Sequence, residues 1–582
     1  MFRVFKKLNW FFRYYWKRYV FAIISLIIAS AIGLIPPKIA GYTIDQIQFE
    51  TLTLQLLTAI IIGYVLLIII HYSISFLWDY TLFSGAVILE KWMRSKLMQH
   101  FLSMTPIFFS KYRTGDLMAR STNDLKAISL TAGFGVLTLV DSSIFMLMII
   151  AMMGFTISWK LTLAALIPLP IMAIVMNKYG AAIHKRFSTA QAAFGEMNNE
   201  VLESIKGVRV IRAFVQEKYD AKRFEQRTKD VYDKNIAVAK IDALFEPTMK
   251  ILVGLSYTIG LGYGALLVFE NVLTLGDLVT FNVYLGMLIW PMFAVGELIN
   301  VLQRGNASLD RINHILHYQA DVTESDVPVH VEKVTSITFD HVSFAYPNTD
   351  KNQLEQVSFQ IKQGETLGVV GKTGAGKTTL FKLLLRQYSG VKGEIRISDV
   401  NVSDLSLNTI RSWIGYVPQD QMMFSKTIRE NIQFGKEDAT DEEIFRVMEL
   451  AHFLNDIKQL PNGLDTQVGE SGVTLSGGQK QRVALARAFI KCPELLILDD
   501  SLSAVDGNTE ANILEHLRAE RQNKTTIIAA HRLSAVTHAD HIIVLHEGQI
   551  VERGTHDELM QLQGWYYTQY VQQQLHGVEV TG

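Results

Sequence analysis

The stretch TLGVVGKTGAGKTTLFKLLLR, residues 366–386, decides the fold of the carboxy-terminal half. An apolar β-rich run, 366–370, leads into the glycine loop GKTGAGKTT, 371–379, and then into a helix with one apolar face, 380–386. Strand, loop and helix in that order are the context a phosphate-binding loop requires. Gly371, Gly374 and Gly376 let backbone N–H groups close round phosphate oxygens, Lys377 reaches the β/γ oxygens, and Thr378 offers a hydroxyl to magnesium. The candidate ATP contacts of this loop are therefore Gly371, Lys372, Thr373, Gly374, Ala375, Gly376, Lys377, Thr378 and Thr379.

Downstream, LLILDDSLSAVD, residues 495–506, is an apolar strand that delivers Asp499 as a second magnesium ligand. By itself such a strand is a weak signal. LSGGQKQRVALARA, residues 475–488, is more specific: Ser476, Gly477, Gly478 and Gln479 precede a helix with basic and apolar faces. Exposed N–H groups and a hydroxyl at its amino end suit a phosphate.

The chain has 582 residues, too many for one core, so more than one domain is expected. A net charge of −1 and a pI near 7.0 argue against a general nucleic-acid-binding surface. Mean hydropathy of +0.19, with 49% hydrophobic residues, points to a membrane. The apolar residues concentrate before about residue 300. Cys492 is the one cysteine, which excludes an intrachain disulfide and a cysteine metal cluster. A small buried residue before Pro493 is its expected role.

Six stretches approach the roughly 20 residues needed to span a bilayer. They centre on 20–42, 54–78, 128–156, 161–180, 250–269 and 278–300, and the first carries Pro36-Pro37, which should kink it. Lys and Arg crowd the amino terminus and the connections between spans two and three and between four and five. The positive-inside rule then puts both termini in the cytoplasm. The two long basic connections read as helical extensions. In the first, 108–124, Gly115-Asp116 is read as a turn; in the second, 203–217, a short apolar segment sits amid charge. Each is either a solvated helix hairpin or a carrier of motion to the membrane. Asp141 lies near the middle of the third span, where an ionisable group faces a cavity or a partner. It is a candidate contact for cationic substrates, the alternative being a structural hydrogen bond to a neighbouring helix. Phe145, Met148, Met152, Met153, Met287, Trp290 and Phe293 could line an adaptable apolar pocket or simply pack.

The motif set resembles the ATP-binding cassette (ABC) family, specifically exporters that fuse six membrane spans to one cassette. The expected fold is an all-α polytopic membrane domain with long cytoplasmic extensions (1–318), a linker (319–334) and an α/β P-loop NTPase domain (335–582). By this resemblance Tyr346 in VSFAYPN stacks on adenine, and Gln419 in YVPQDQMMF is the glutamine loop and a magnesium contact. Residues 468–471 are similar to the exporter X-loop, Ser503 to Asp506 to the D-loop, and His531 in AAHRLS to the switch histidine at the γ-phosphate. The cofactors implied are ATP and Mg, and the partner is a second half-transporter chain. In the family two cassettes associate head to tail, so Ser476, Gly477, Gly478 and Gln479 would serve the partner's ATP.

The family carries a catalytic glutamate where this chain has Asp500. The carboxylate persists but its reach is shorter by one methylene. The resemblance narrows to bacterial heterodimeric multidrug exporters with one degenerate site, implying a non-identical partner and amphipathic drugs as substrates. A sluggish homodimer, a lipid or lipid-linked precursor flippase, and a regulatory nucleotide-sensing subunit are the competing readings. A peptide-processing exporter is not expected, since no protease domain precedes the first span.

Overall fold

In the computed structural model the described residues are 3–325, 327–347, 349, 351–469, 472, 475 and onward to 579. They form two compact units: Met1–Leu102 with Thr114–Tyr318, and Ser103–Arg113 with Gln319–Gly582. The short helix Pro106–Lys111, with Phe108 fully buried, thus groups with the second unit and not with the membrane segments that flank it.

Among the described residues, the regular elements of the first unit are all helices. Among the described residues, five of its helical stretches are long and apolar enough to cross a membrane: Trp16–Gln48, Leu54–Leu102, Thr114–Leu166, Glu217–Phe269 and Leu275–Leu316. The expected span 161–180 is divided at Ile167 between Trp159–Leu166 and Pro168–Ala213, because Pro168 cannot continue the hydrogen-bond ladder. Five of the six expected spans are thus found among these stretches, and the sixth is the one split at a proline. Pro36-Pro37 acts similarly: helix Trp16–Gly33 stops and a new helix, Ile35–Gln48, starts with both prolines in its first turn. The expected Gly115-Asp116 turn is instead inside the helix Thr114–Ala119; the chain breaks two residues earlier, at Tyr112 and Arg113. In the second connection the break falls at 214–216, where Phe214 and Val215 are exposed.

Small residues allow these helices to approach. A Cβ built on Gly305 would lie 1.9 Å from Thr131 Oγ1, and one on Gly41 would lie 2.4 Å from the Gly276 carbonyl oxygen. Outward, Ile61, Ile62, Val65, Leu66, Ile69 and Ile70 are exposed, a face suited to lipid. Inward, Ile149, Met153, Leu161, Phe281 and Tyr284 make a buried core, with Phe145, Met148, Met152 and Met287 partly buried against it.

The second unit is built on two sheets. Strands β1 (Ser336–Phe344), β2 (Leu354–Lys362), β4 (Lys392–Ile397) and β5 (Val400–Asn401) form an antiparallel sheet in the order β2-β1-β4-β5. Strands β3 (Thr366–Gly371), β6 (Ile414–Val417), β7 (Leu495–Asp499), β8 (Thr525–Ala529), β9 (His541–His546) and β10 (Gln549–Gly554) form the second, ordered β10-β9-β3-β8-β7-β6. All neighbours in it are parallel except the β9–β10 edge hairpin. β7 and β8 are buried along their whole length, which suits the apolar run of β7 up to Asp499 and the Ile527-Ile528-Ala529 end of β8.

Cys492 is exposed, contrary to the buried role expected of it. Helix Gly477–Phe489 closes on a left-handed turn at Cys492 (φ 48°), whose N–H meets the Phe489 carbonyl at 2.9 Å. That turn swings the thiol outward while Pro493 packs against Gly415, where an added Cβ would be 2.6 Å from the proline ring.

Candidate functional site

Four adjacent parallel strands, β3-β8-β7-β6, each end at the same edge of the sheet and each deliver a segment of the site. The glycine loop follows β3, His531 follows β8, Asp499 closes β7 with Asp500 next, and Gln419 lies two residues beyond β6. This is the carboxyl edge at which open α/β sheets receive ligands. Together with Tyr346 and Gln353 from the antiparallel sheet's side, these residues line a cleft of about 230 Å³.

The loop conformation depends on glycine. Gly371, Gly374 and Gly376 have φ of 149°, 82° and 108°, and a Cβ on Gly371 would collide with the Leu545 carbonyl oxygen at 2.2 Å. Gly376 ends the loop and opens the helix Lys377–Leu384, so free N–H groups face the cleft at a helix amino terminus. Lys377 is buried and its Nζ donates to the carbonyls of Gly371 at 2.7 Å and Lys372 at 3.2 Å. Burial lowers its pKa, opposed by the carboxylates of Asp500 and Asp499. Arriving phosphate would offer the ammonium oxygens in place of those carbonyls.

Thr378 Oγ1 donates to Asp499 Oδ1 at 3.1 Å, and Tyr416 OH donates to the other oxygen at 3.2 Å. Burial raises the Asp499 pKa; the two hydroxyls and Lys377 pull it back, while Asp500 adds to the rise. Burial and the neighbouring carboxylate push the Tyr416 phenol up, so it remains a donor. One hydroxyl and one carboxylate converging in this way fit a magnesium ion that keeps water and phosphate as its other ligands. Among the described residues no group of three or more His, Cys, Asp or Glu side chains is placed to hold a metal by itself. When bound there, magnesium would neutralise phosphate charge.

Asp500 takes a left-handed backbone (φ 48°), with its N–H held by the Ala529 carbonyl at 2.9 Å. Its own carbonyl accepts from Ser503 Oγ at 3.0 Å, which closes the turn into the D-loop. Tyr346 sits edge-on to Phe344 and Tyr388, and its hydroxyl is 3.0 Å from Thr379 Oγ1. It therefore packs against the core and borders the cleft at once. Gln353, which the motifs did not single out, donates to the Gly374 carbonyl at 2.7 Å. Tyr416, equally missed, lies in the same YVPQ run as Gln419, and only the pairing of β6 with β7 brings it to Asp499.

Two predicted groups lie elsewhere. Ser476 caps helix Gly477–Phe489, its Oγ accepting from Gln479 N at 3.3 Å while Gln479 Oε1 accepts from Ser476 N at 3.0 Å. Among the described residues lining the cleft, none comes from the Ser476 to Gln479 segment. Gly477 and Gly478 instead approach the D-loop, where a Cβ on Gly478 would be 3.0 Å from the Ala504 carbonyl oxygen. Of the X-loop residues, Glu470 and Ser471 lie outside the described residues. In the membrane unit, Asp141 is buried at the start of a wide helical turn, Asp141–Phe145, and accepts from Trp290 Nε1 at 3.0 Å. Of the two roles considered for it, the helix-to-helix hydrogen bond is present.

Residues 19–292 match the family model of the ABC transporter transmembrane region, and residues 354–503 that of the ABC transporter. The chain is 56% identical over 582 residues, covering 100% of both chains, to the Probable multidrug resistance ABC transporter ATP-binding/permease protein YheI of Bacillus subtilis (strain 168). It is 42% identical over 573 residues to the multidrug resistance-like ATP-binding protein MdlA of Escherichia coli (strain K12), covering 98% of this chain and 97% of that one. The fold is similar to a bacterial Atm1-family ABC exporter solved with ATP bound, with a TM-score of 0.79 and 26% identity over 96% of this chain and 99% of that one. An ATP-driven, multi-pass membrane exporter accounts for both units, and the chain belongs to the ABC transporter family as a half-transporter, one transmembrane region fused to one ATP-binding domain.

Proposed function

We propose that this chain is the degenerate-site half of a heterodimeric ABC exporter that moves amphipathic drugs or similar compounds out across the cytoplasmic membrane, with both termini and the cassette in the cytoplasm. The observation that carries the reading is Asp500, which lines the same cleft as Lys377, Thr378, Asp499 and His531 but brings the shorter carboxylate. ATP is bound by the loop Gly371 to Thr379 and by Tyr346, with Thr378, Asp499 and Gln419 around magnesium. Asp500 orients water poorly and His531 meets the γ-phosphate. Ser476, Gly477, Gly478 and Gln479, preformed as a capped helix start outside this chain's own cleft, complete the partner's site.

The residues here act by position. Lys377 and Thr378 hold terminal phosphate and metal, Asp499 fixes the metal, and Asp500 must hold the attacking water in line. Since geometry losses near one ångström cost roughly 10²-fold in rate, binding survives where hydrolysis slows. Purification of this chain alone and with candidate partner chains, followed by ATPase measurement, tests the claim. Robust turnover by this chain alone would sink the heterodimer. Reconstituted efflux of a cationic dye against transbilayer movement of labelled lipid separates drug export from lipid flipping. Asp141, buried against Trp290, is proposed to contribute negative charge near a cationic drug.

A further inference from the structure

We infer that Gln573, on the helix Trp565–Glu579, is a positioning residue that aims His531 at the terminal phosphate of ATP held by this chain. The inference rests on the reading of His531 as the phosphate contact.

The backbone around His531 leaves the sheet at Ala530, whose N–H makes the last rung to Val369 at 3.2 Å. Beyond that rung the polar backbone groups need new partners. Gln573 supplies two: its Oε1 accepts from Leu533 N at 2.9 Å and its Nε2 donates to the His531 carbonyl at 2.9 Å. An acceptor for one residue's N–H and a donor for the carbonyl two residues back is the pair that a neighbouring strand would present. One side chain thus extends the sheet edge past the reactive residue.

The platform that carries Gln573 is fixed. Glu552 accepts from the N–H groups of Trp565 at 2.5 Å and Tyr566 at 3.1 Å, anchoring the helix start. Tyr566 is fully buried, 2.8 Å from His556 Nδ1 through its hydroxyl, and stacks on Tyr570. Positions 566, 570 and 573 recur at helical spacing on one face, so the anchor and the amide move together. From the other side, Arg532 Nη1 donates to the buried carboxylate of Glu510 at 3.0 Å and to the Val505 carbonyl at 3.1 Å, and Ser534 Oγ donates to Glu510 at 3.3 Å. With Arg532 tied to the D-loop helix and the flanking backbone tied to Gln573, the His531 side chain is left facing the cleft.

The test uses the full transporter in membranes. Label from radioactive 8-azido-ATP on this chain's polypeptide is competed with ATP and with ADP, which gives the preference for ATP over ADP at this site. His531→Ala is expected to lower that preference, and Gln573→Ala to lower it about 3- to 10-fold, the scale of one or two hydrogen bonds. In the His531→Ala background Gln573→Ala should add nothing. Gln573→Glu, which keeps the acceptor but sets a carboxylate against the His531 carbonyl, should fall to the alanine level with unchanged thermal stability. The proposal is overturned if Gln573→Ala leaves the preference intact while His531→Ala lowers it. It is equally overturned if the two effects add, if ATP and ADP weaken alike, or if Gln573→Glu behaves as wild type. A silent His531→Ala would remove the phosphate reading itself, and the inference with it.

Discussion

Lengthening Asp500 by one carbon is the sharpest test of the slow site. In Asp500→Glu the backbone should stay put, because the residue's N–H is tied to the Ala529 carbonyl at 2.9 Å and its carbonyl to Ser503 Oγ at 3.0 Å. The added methylene, a bond of about 1.5 Å, is therefore delivered as reach into the cleft. If the present shortfall costs about 10²-fold, restoring it is worth about 2.7 kcal/mol of barrier. Position 500 has a φ of 48°, which aspartate tolerates better than glutamate, so the variant should lose about 1 kcal/mol of stability. That strain is present in ground and transition states alike and does not subtract from the rate. The assay is initial-rate ATP hydrolysis in the transporter whose partner glutamate has been changed to glutamine, so that this chain's site dominates. A rise of about 10- to 100-fold is expected. A change below about twofold, with ATP binding intact, would refute the assignment of slow turnover to side-chain length.

Thr378→Val removes the hydroxyl 3.1 Å from Asp499 and should raise the magnesium concentration for half-maximal ATPase by about tenfold, read by metal titration. Tyr416→Phe leaves Asp499 Oδ2 without the donor at 3.2 Å and should slow ATPase several-fold with the fold intact, checked by rate and melting together. Gly305→Ala places a methyl where Thr131 Oγ1 lies 1.9 Å away; it should cost about 1–3 kcal/mol, seen as a lower melting temperature, and Thr131→Ala should recover much of it. Burial holds the His538 pKa down to about 4 from 6.5, so the unfolded chain binds more protons between those values and stability falls as pH drops through that window. Discounted for solvent screening of a partly exposed ring, the loss at full protonation is on the order of 1–2 kcal/mol, and His538→Asn should flatten the acid limb of a pH-dependent unfolding curve.

The glycine loop, the capped start of Ser476 and the apolar β7 were legible because each is a contiguous stretch whose local chemistry dictates its conformation. What the sequence concealed is pairing across distance. Trp290 meets Asp141 from 149 residues away, and Tyr416 reaches Asp499 only because β6 lies beside β7. Gln573 and Glu510 bracket the His531 segment from two different helices, with no motif to announce either. The split at Ile167 was hidden for another reason: hydropathy over 161–180 registers apolar length, whereas Pro168 interrupts the ladder without changing that average. Cys492 shows the reverse error, composition favouring burial where a left-handed helix end turns the side chain outward.

The contacts that would bind ATP and the group that would hydrolyse it are separable in this site. Lys377, Thr378 and Asp499 are buried or paired through hydrogen bonds that fix them before any ligand arrives. Those of their contacts that are already made to ATP in the ground state set affinity. On the proposed reading Asp500 acts on the attacking water, so its shortfall should be expressed in kcat and leave KM nearly unchanged. On that reading, a chain altered at that residue alone would keep its hold on ATP while cleaving slowly. By the same proposal, such a site would remain closed on nucleotide through repeated turnovers at the partner's, to which this chain's capped Ser476 to Gln479 segment would be lent. Defective binding at this P-loop, measured with ADP and ATP on the separated polypeptides, is the result that this separation of roles forbids.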